Sequence, residues 1–279
     1  YACLSYCWGK EQQYTLKNAN EATLRSEIDF PRLGQTIQDA ITMTQLLGLR
    51  YLWVDALCIL QDDANDKAIE IKKMASIYGS ATLTFYIGQA ESVKEGFLAP
   101  HLTKPREKGH QDNRAVDKFS YSGPFERDVV VPLDYRAWAF QEFLLSPRIL
   151  LFMSLNVYWV CRRWHYQPMY SQNPFHRNAG NINSIPHLNE IISQGKRMPR
   201  SDFFKAWNYI FSDYSYRKLT DPEDRLDALT GVLSVISEAR EDKCHFGHWE
   251  STLPGSLMWQ SSEGTPGRHS RAPSWSWAA

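Results

Sequence analysis

Two rhythms of apolar residues alternate along the first half of the chain. Ala2 to Tyr6 is a short apolar run of strand type that enters a turn at Cys7-Trp8-Gly9. From Thr36 to Leu47 the rhythm changes: Ile37, Ala40, Ile41, Thr44 and Leu47 recur at helical spacing, and Gly48 stands where a helix end calls for positive φ. Tyr51 to Asp55 (YLWVD) is again nearly continuous and apolar, the mark of a strand buried on both faces, as in a parallel sheet. Asp62 or Asp63 then caps a helix whose buried stripe is Ala68, Ile71, Ala75 and Tyr78, and Ala81 to Ile87 supplies a third strand. Strand, helix, strand, helix, strand predicts an α/β domain with right-handed crossovers. Ligands of such sheets sit beyond the carboxyl ends of the strands, where Ser5, Tyr6, Trp8 and Gly9 follow the first strand and Asp55 ends the second.

The second half is less regular. Residues 88–133 carry glycines, prolines and charges with little periodicity, and read either as a lid over a site or as a disordered loop. Residues 134–145 predict a helix stopped by Ser146-Pro147. Arg148 to Met153 and Val157 to Cys161 predict a hairpin joined at Ser154-Leu155-Asn156. Residues 165–200, polar and rich in Asn, Pro and Ser, read as a linker or surface excursion. Beyond them Phe203, Trp207, Ile210, Phe211 and Tyr214 form one helical stripe. Thr220-Asp221-Pro222-Glu223 then reads as a capping box for a helix carrying Leu226, Leu229, Leu233 and Ile236. Arg217, Asp224 and Arg225 read as organising these helix ends. The expected division is an α/β core over 1–164 with a mainly helical part over 165–279 packed on it.

Composition narrows the partners. Acidic and basic residues balance at 31 each, so charge makes no case for nucleic acid or a membrane surface. No apolar run reaches the length of a bilayer span and no signal peptide opens the chain, whose strand-like start at Tyr1 reads as a piece of a longer protein. Cysteines at 3, 7, 58, 161 and 244 make no paired two-residue spacing, so neither a disulfide framework nor a zinc site is predicted and a reducing, cytoplasmic setting is the expectation. The eight histidines have no metal-ligand spacing, and His165, His245 and His248 read as surface or packed residues. Cys58 is a conceivable nucleophile, but a small cysteine inside an apolar run reads first as packing.

Candidate chemistry concentrates in Asp134 to Leu150, DYRAWAFQEFLLSPRIL. On a helix Trp138, Gln141, Glu142 and Leu145 fall at i, i+3, i+4 and i+7, one shared face, which points Glu142 inward with the tryptophan. A carboxylate there is hydrogen-bonded, paired with a cation or used chemically, because an unpaired buried charge is too costly to keep. Arg136 and Arg148 are cations nearby in sequence, and a salt bridge that merely orients the helix is the plainer alternative. Asp55 reads equally as a turn or capping residue, and Tyr6 and Trp8 equally as core aromatics.

Three blocks carry a resemblance: YACLSYCWG at 1–9, GLRYLWVDALCILQDD at 48–63 with MASIYGSA at 74–81, and RAWAFQEFLLSPRILLF at 136–152. In order and spacing they resemble the fungal heterokaryon incompatibility (HET) domain family. The similarity continues more weakly through YSYRKLTDPEDRLDALTGV at 214–232 and APSWSWA at 272–278. Leu60 stands where the family usually has Asn, and Ala139 where Thr is common. The resemblance implies a part in the cell death that follows fusion of genetically unlike fungal cells. It extends more remotely to Toll/interleukin-1 receptor (TIR) domains, some of which hydrolyse NAD. It therefore implies an α/β, TIR-like (flavodoxin-like), mostly parallel sheet flanked by helices, with a hairpin and a helical C-terminal extension.

The catalytic glutamate of TIR enzymes follows a tryptophan on a helix, and TrpAlaPheGlnGlu at 138–142 is similar in layout. The resemblance thus implies that Glu142 faces the ribose as the nicotinamide bond breaks, stabilising the developing oxocarbenium ion. Trp138, Tyr6 and Trp8 would offer stacking surface, Arg136 a phosphate contact, and Gln141 and Ser5 polar contacts. Asp55 would meet a ribose hydroxyl or make a structural bond, with Gly9 forming the turn. NAD would be the substrate, with no cofactor and no metal. No glycine-rich phosphate loop occurs, so nicotinamide would be a leaving group rather than a hydride carrier. The implied partners are NAD and either further copies of the chain or a separate death-signalling protein, with no nucleic acid and no membrane span. A non-catalytic module that kills by assembling with partners is the other reading.

Overall fold

The computed structural model describes residues 1–10, 14–98, 131–153, 157–161, 180–260 and 272–279. Strand β1 (Ala2–Ser5) is buried along its whole length, since both faces of its sheet are covered. Ala2 and Leu4 enter one core and Cys3 the other, as the two-residue strand period requires. Across the sheet the order is β2 (Leu52–Trp53), β1, β3 (Leu83–Ile87), β4 (Arg148–Phe152) and β5 (Val157–Cys161). The first four are parallel and β5 is antiparallel to β4. The expected hairpin is thus present, with its connecting residues 154–156 outside the described residues.

The helices before and after β2 cover opposite faces. α1 (Glu21–Ser26) is a short surface helix, and α2 (Gln35–Leu46) packs Ile37 and Ala40 into the core that holds Leu4 and Phe85. Gly48 takes φ +69°, the left-handed conformation expected past its end. The four-residue α3 (Asp55–Cys58) follows β2, and α4 (Ala64–Ser80) turns Met74 and Tyr78 into the larger core with Cys3 and Tyr86. Asp63 caps α4 by accepting from Asn65 N at 2.8 Å and Asp66 N at 3.1 Å, while Asp62 accepts from Asn18 N at 3.0 Å. β2 departs from expectation: it is a two-residue, half-buried edge strand preceded by an exposed Tyr51, because the chain bends into α3 at Asp55.

The first part of the expected lid is anchored. Val93, Phe97 and Leu98 belong to the core under α2. Buried Asp39 accepts from Phe97 N at 2.6 Å and Leu98 N at 2.9 Å, an arrangement that sequence periodicity does not reveal. The remainder, 99–130, lies outside the described residues.

A turn of 3-10 helix at Pro132–Tyr135 leads into α5 (Ala137–Leu145), in which every residue except Trp138 is buried. A helix apolar nearly all round must lie inside the molecule, and α5 does, between the sheet and three C-terminal helices: α6 (Gly180–Gln194), α7 (Arg200–Ser215) and α8 (Thr230–Arg240). Two expectations change here. Part of the segment read as a linker, 180–194, is helix α6, which buries Ile185, Leu188 and Ile191; residues 162–179 lie outside the described residues. The helix expected directly after residue 223 is instead two 3-10 turns, Pro222–Arg225 and Asp227–Leu229, before α8 begins. The first turn is capped by Asp221, which accepts from Glu223 N at 3.0 Å.

Arg217 does more than finish a helix. It pairs with Asp213 at 3.1 Å, donates to the Asp134 carbonyl and lies over the Phe140 ring at 4.5 Å. Next to it, Lys218 makes an isolated parallel bridge with Arg136: Ala137 N donates to Lys218 O at 3.0 Å, and Lys218 N to Tyr135 O at 2.6 Å. A two-residue hairpin, β6 (Cys244–His245) with β7 (His248–Trp249), turns at Phe246 and Gly247, both at positive φ as a type I′ turn requires. Trp277 covers that turn and donates to Gly247 O at 3.2 Å. Among the described residues no helix is long and apolar enough to cross a membrane.

Candidate functional site

The exit of β1 gathers most of the residues singled out in the sequence. Ser5 shares the sheet face of Cys3, toward α5, and its Oγ donates to Glu142 Oε2. The next carbonyl, Tyr6 O, accepts from Arg136 Nη1 at 2.5 Å. Trp8 Nε1 donates to Asp55 Oδ2 at 2.8 Å, and Asp55 Oδ1 accepts from Ala56 N at 2.7 Å. Segments from β1, α3 and α5 thus bring two carboxylates and one guanidinium to the carboxyl end of the sheet, where α/β sheets bind ligands.

Burial sets the electrostatics. Glu142 is 8% exposed, and its carboxyl is pushed up from 4.5 to about 7, first by loss of solvation and then by the Asp55 charge. The Ser5 and Tyr78 hydrogen bonds and the Arg136 charge pull the other way without winning. Asp55 is also raised by desolvation, against Arg136 and the donors Ala56, Trp8 and Tyr6. For Arg136 burial opposes the charge, yet Glu142, Cys7 and Asp55 outweigh it and hold the guanidinium above its ordinary value. Glu142 is therefore neither a locked, fully ionised salt-bridge partner nor an ordinary solvated acid: near pH 7 its carboxyl is part-protonated.

Other sequence candidates are placed differently. Gln141, 100° around the helix from Glu142, accepts from Gly231 N at 3.1 Å and reaches Met74 Sδ at 3.9 Å, fastening α5 to α8 and α4. Leu145 lies on that same side, against Gly231. Trp138 is half-buried against the larger core. Tyr6 has its ring packed in the core under α2 and gives the site its carbonyl and a phenol bond to Asp55. Gly9 is a backbone requirement: at φ +75° a Cβ would also come within 2.9 Å of Ser92 Cβ. Arg148 donates to Thr82 O at 2.5 Å, a contact of the sheet and not of this site. Cys58 is exposed at the end of α3, but desolvation, helped by Asp55 and Glu70, raises its thiol above the ordinary value, the opposite of an activated nucleophile.

Two contributors escaped the sequence reading. Tyr78 donates to Leu4 O at 3.2 Å and its hydroxyl also faces Glu142, so its one proton serves one acceptor or the other; burial together with the Glu142 charge holds its phenol well above the usual range, so it keeps that proton. Cys7 lies against Arg136, its thiol raised by burial. In the sequence Tyr78 belongs to a buried helical stripe, and its hydroxyl is the one sign that it does more. Among the described residues no group of three or more His, Cys, Asp or Glu is placed to hold a metal ion.

A family model described as heterokaryon incompatibility protein (HET) matches residues 1–142, just over half of the 279. No curated protein and no solved structure matches the chain.

Proposed function

The chain belongs to the heterokaryon incompatibility (HET) family, which is linked to incompatibility and cell death, and on that premise we propose that it kills by hydrolysing NAD at the nicotinamide N-glycosidic bond. One observation carries this reading: the buried carboxyl of Glu142, hydrogen-bonded by Ser5 and poised near neutrality at the carboxyl end of the sheet. A desolvated carboxylate stabilises an oxocarbenium ion more than it stabilises the ground state, because full positive charge reaches the ribose only as the base departs. Substrate helps the site into its reactive form. The cationic nicotinamide ring favours ionised Glu142, lowering its proton affinity on binding. The four parallel strands run in the order 2-1-3-4, as in one common doubly wound class, with the antiparallel β5 a departure from it; the shared order supports the TIR-like reading. Trp8, Trp138 and Arg136 are then the candidates for ring and phosphate contacts, with NAD as substrate and no cofactor.

The test is nicotinamide release from NAD by the purified chain, with Glu142→Gln as control. Release by wild type, reduced at least a hundredfold in the variant, is the expected result; equal release by both refutes the role of Glu142.

The assembly reading has its own observation. Leu46, Leu47 and Tyr51 stand exposed at the end of α2, beside the edge strand β2. Cell killing by Glu142→Gln equal to wild type would favour that reading over hydrolysis.

A further inference from the structure

Four consecutive residues at the β1 exit hold the whole charged group: Ser5 binds Glu142, Tyr6 O binds Arg136 and Trp8 binds Asp55. In the pairing of β1 with β2, Cys3 stands opposite Trp53. Ser5 and Asp55 each lie two residues beyond that couple. Asp55 therefore opens α3 just past the end of β2, beside the strand that carries the donor of Glu142. The two residues differ in burial: Glu142 is buried, whereas Asp55, the first residue of α3, is part-buried. Asp55 also keeps acceptor capacity. Its oxygens take bonds from Ala56 N, the Trp8 indole and the Tyr6 phenol, and a carboxylate has about four acceptor sites.

Resting on the NAD-hydrolysis reading, we propose that Asp55 is the general base of the site, taking a proton from the attacking water while Glu142 stays against the ribose. The bond from C1′ to the nicotinamide nitrogen breaks with its electron pair going to nitrogen, so the cationic pyridinium leaves as neutral nicotinamide. The water oxygen forms the new bond to C1′. One water proton passes to Asp55 and then to solvent, leaving ADP-ribose with the other. Arg136, bound to Tyr6 O and lying in the field of both carboxylates, is the charge that lets two acids share so small a space.

The experiment uses the 279-residue chain with NAD, following nicotinamide and ADP-ribose for wild type, Asp55→Ala, Asp55→Asn and Glu142→Gln, with and without added formate. Loss of a general base lowers kcat by about 10²–10⁴-fold. Formate entering the space left in Asp55→Ala restores kcat at least tenfold and does nothing for Glu142→Gln. A purely structural Asp55 would give no such rescue. Two results overturn the assignment: a kcat within threefold of wild type in either Asp55 variant, or a folded Asp55→Ala that formate does not restore. If Asp55→Ala fails to fold, Asp55→Asn, of nearly the same shape, decides through its kcat. An inactive wild type overturns hydrolysis itself, whereas an active wild type with active Asp55 variants overturns only the base.

Discussion

Replacing Glu142 by Gln should change how stability responds to pH, whatever the chain's activity. In the folded protein this carboxyl titrates at about 7 in place of 4.5. Between those values the folded state holds a proton that the unfolded state has lost, so stability falls as pH rises. The contribution is fully present below pH 4.5 and is lost by the time pH has passed about 7. The gap spans roughly 2.5 pH units, and at 1.36 kcal/mol per unit the loss is about 3 kcal/mol. Glutamine keeps an acceptor oxygen for Ser5 but cannot ionise, so Glu142→Gln escapes the loss. The assay is urea unfolding of both proteins at pH 4.5 and pH 8, taking the difference between them so that groups common to both cancel. The variant should gain about 3 kcal/mol on wild type across that range. A difference flat to within about 0.5 kcal/mol would mean that Glu142 titrates as a solvated acid, and the desolvated site would have to be abandoned.

Three further outcomes follow from the same geometry. Ser5→Ala removes a donor that holds the Glu142 carboxyl down, so the acid limb of the pH profile for nicotinamide release should move to higher pH, at a stability cost of about 1 kcal/mol; a shift to lower pH contradicts the hydrogen bond. Arg217→Ala leaves the largely buried Asp213 beside Ser184 with its cation gone and the Asp134 carbonyl short of a donor, and should cost about 3 kcal/mol in chemical unfolding; a cost below about 1 kcal/mol would make the pair ornamental. Gly247→Ala puts a Cβ 2.4 Å from the Trp277 indole at a φ of +87°, so the C-terminal tail should be displaced and the melting temperature lowered, with tryptophan fluorescence reporting the exposure of Trp277; an unchanged spectrum and melt would refute the contact.

What could be read from the chain was whatever repeats locally. β1, α2, α4, β3 and the β4/β5 hairpin follow from apolar period and capping residues, and Glu142 was flagged because a carboxylate on an apolar helix needs a reason. Its partner was not legible, since Ser5 lies 137 residues away and no periodicity links them. Nor could spacing separate Gln141 from Glu142. α5 is buried over nearly its whole surface, Trp138 excepted, so it has no single inward face, and adjacent residues serve different neighbours. Composition misled at α6, where Asn, Ser and Pro186 hide the stripe of Ile185, Leu188 and Ile191. At Leu226 the apolar spacing was real, but two 3-10 turns carry it before α8 starts.

The parallel bridge between Arg136 and Lys218 bears on how the molecule can be divided. The family-matched block ends at Glu142, yet the strand-like segment that fixes the N-terminus of its last helix comes from more than 70 residues downstream, along with the helices that shield α5 from water. Expressed alone, residues 1–142 would present unpaired amides and a naked apolar cylinder where the intact chain has neither. Such a truncation should be recovered as aggregate, not as a minimal enzyme, and silence from it in a killing assay would say nothing about the chemistry of Glu142.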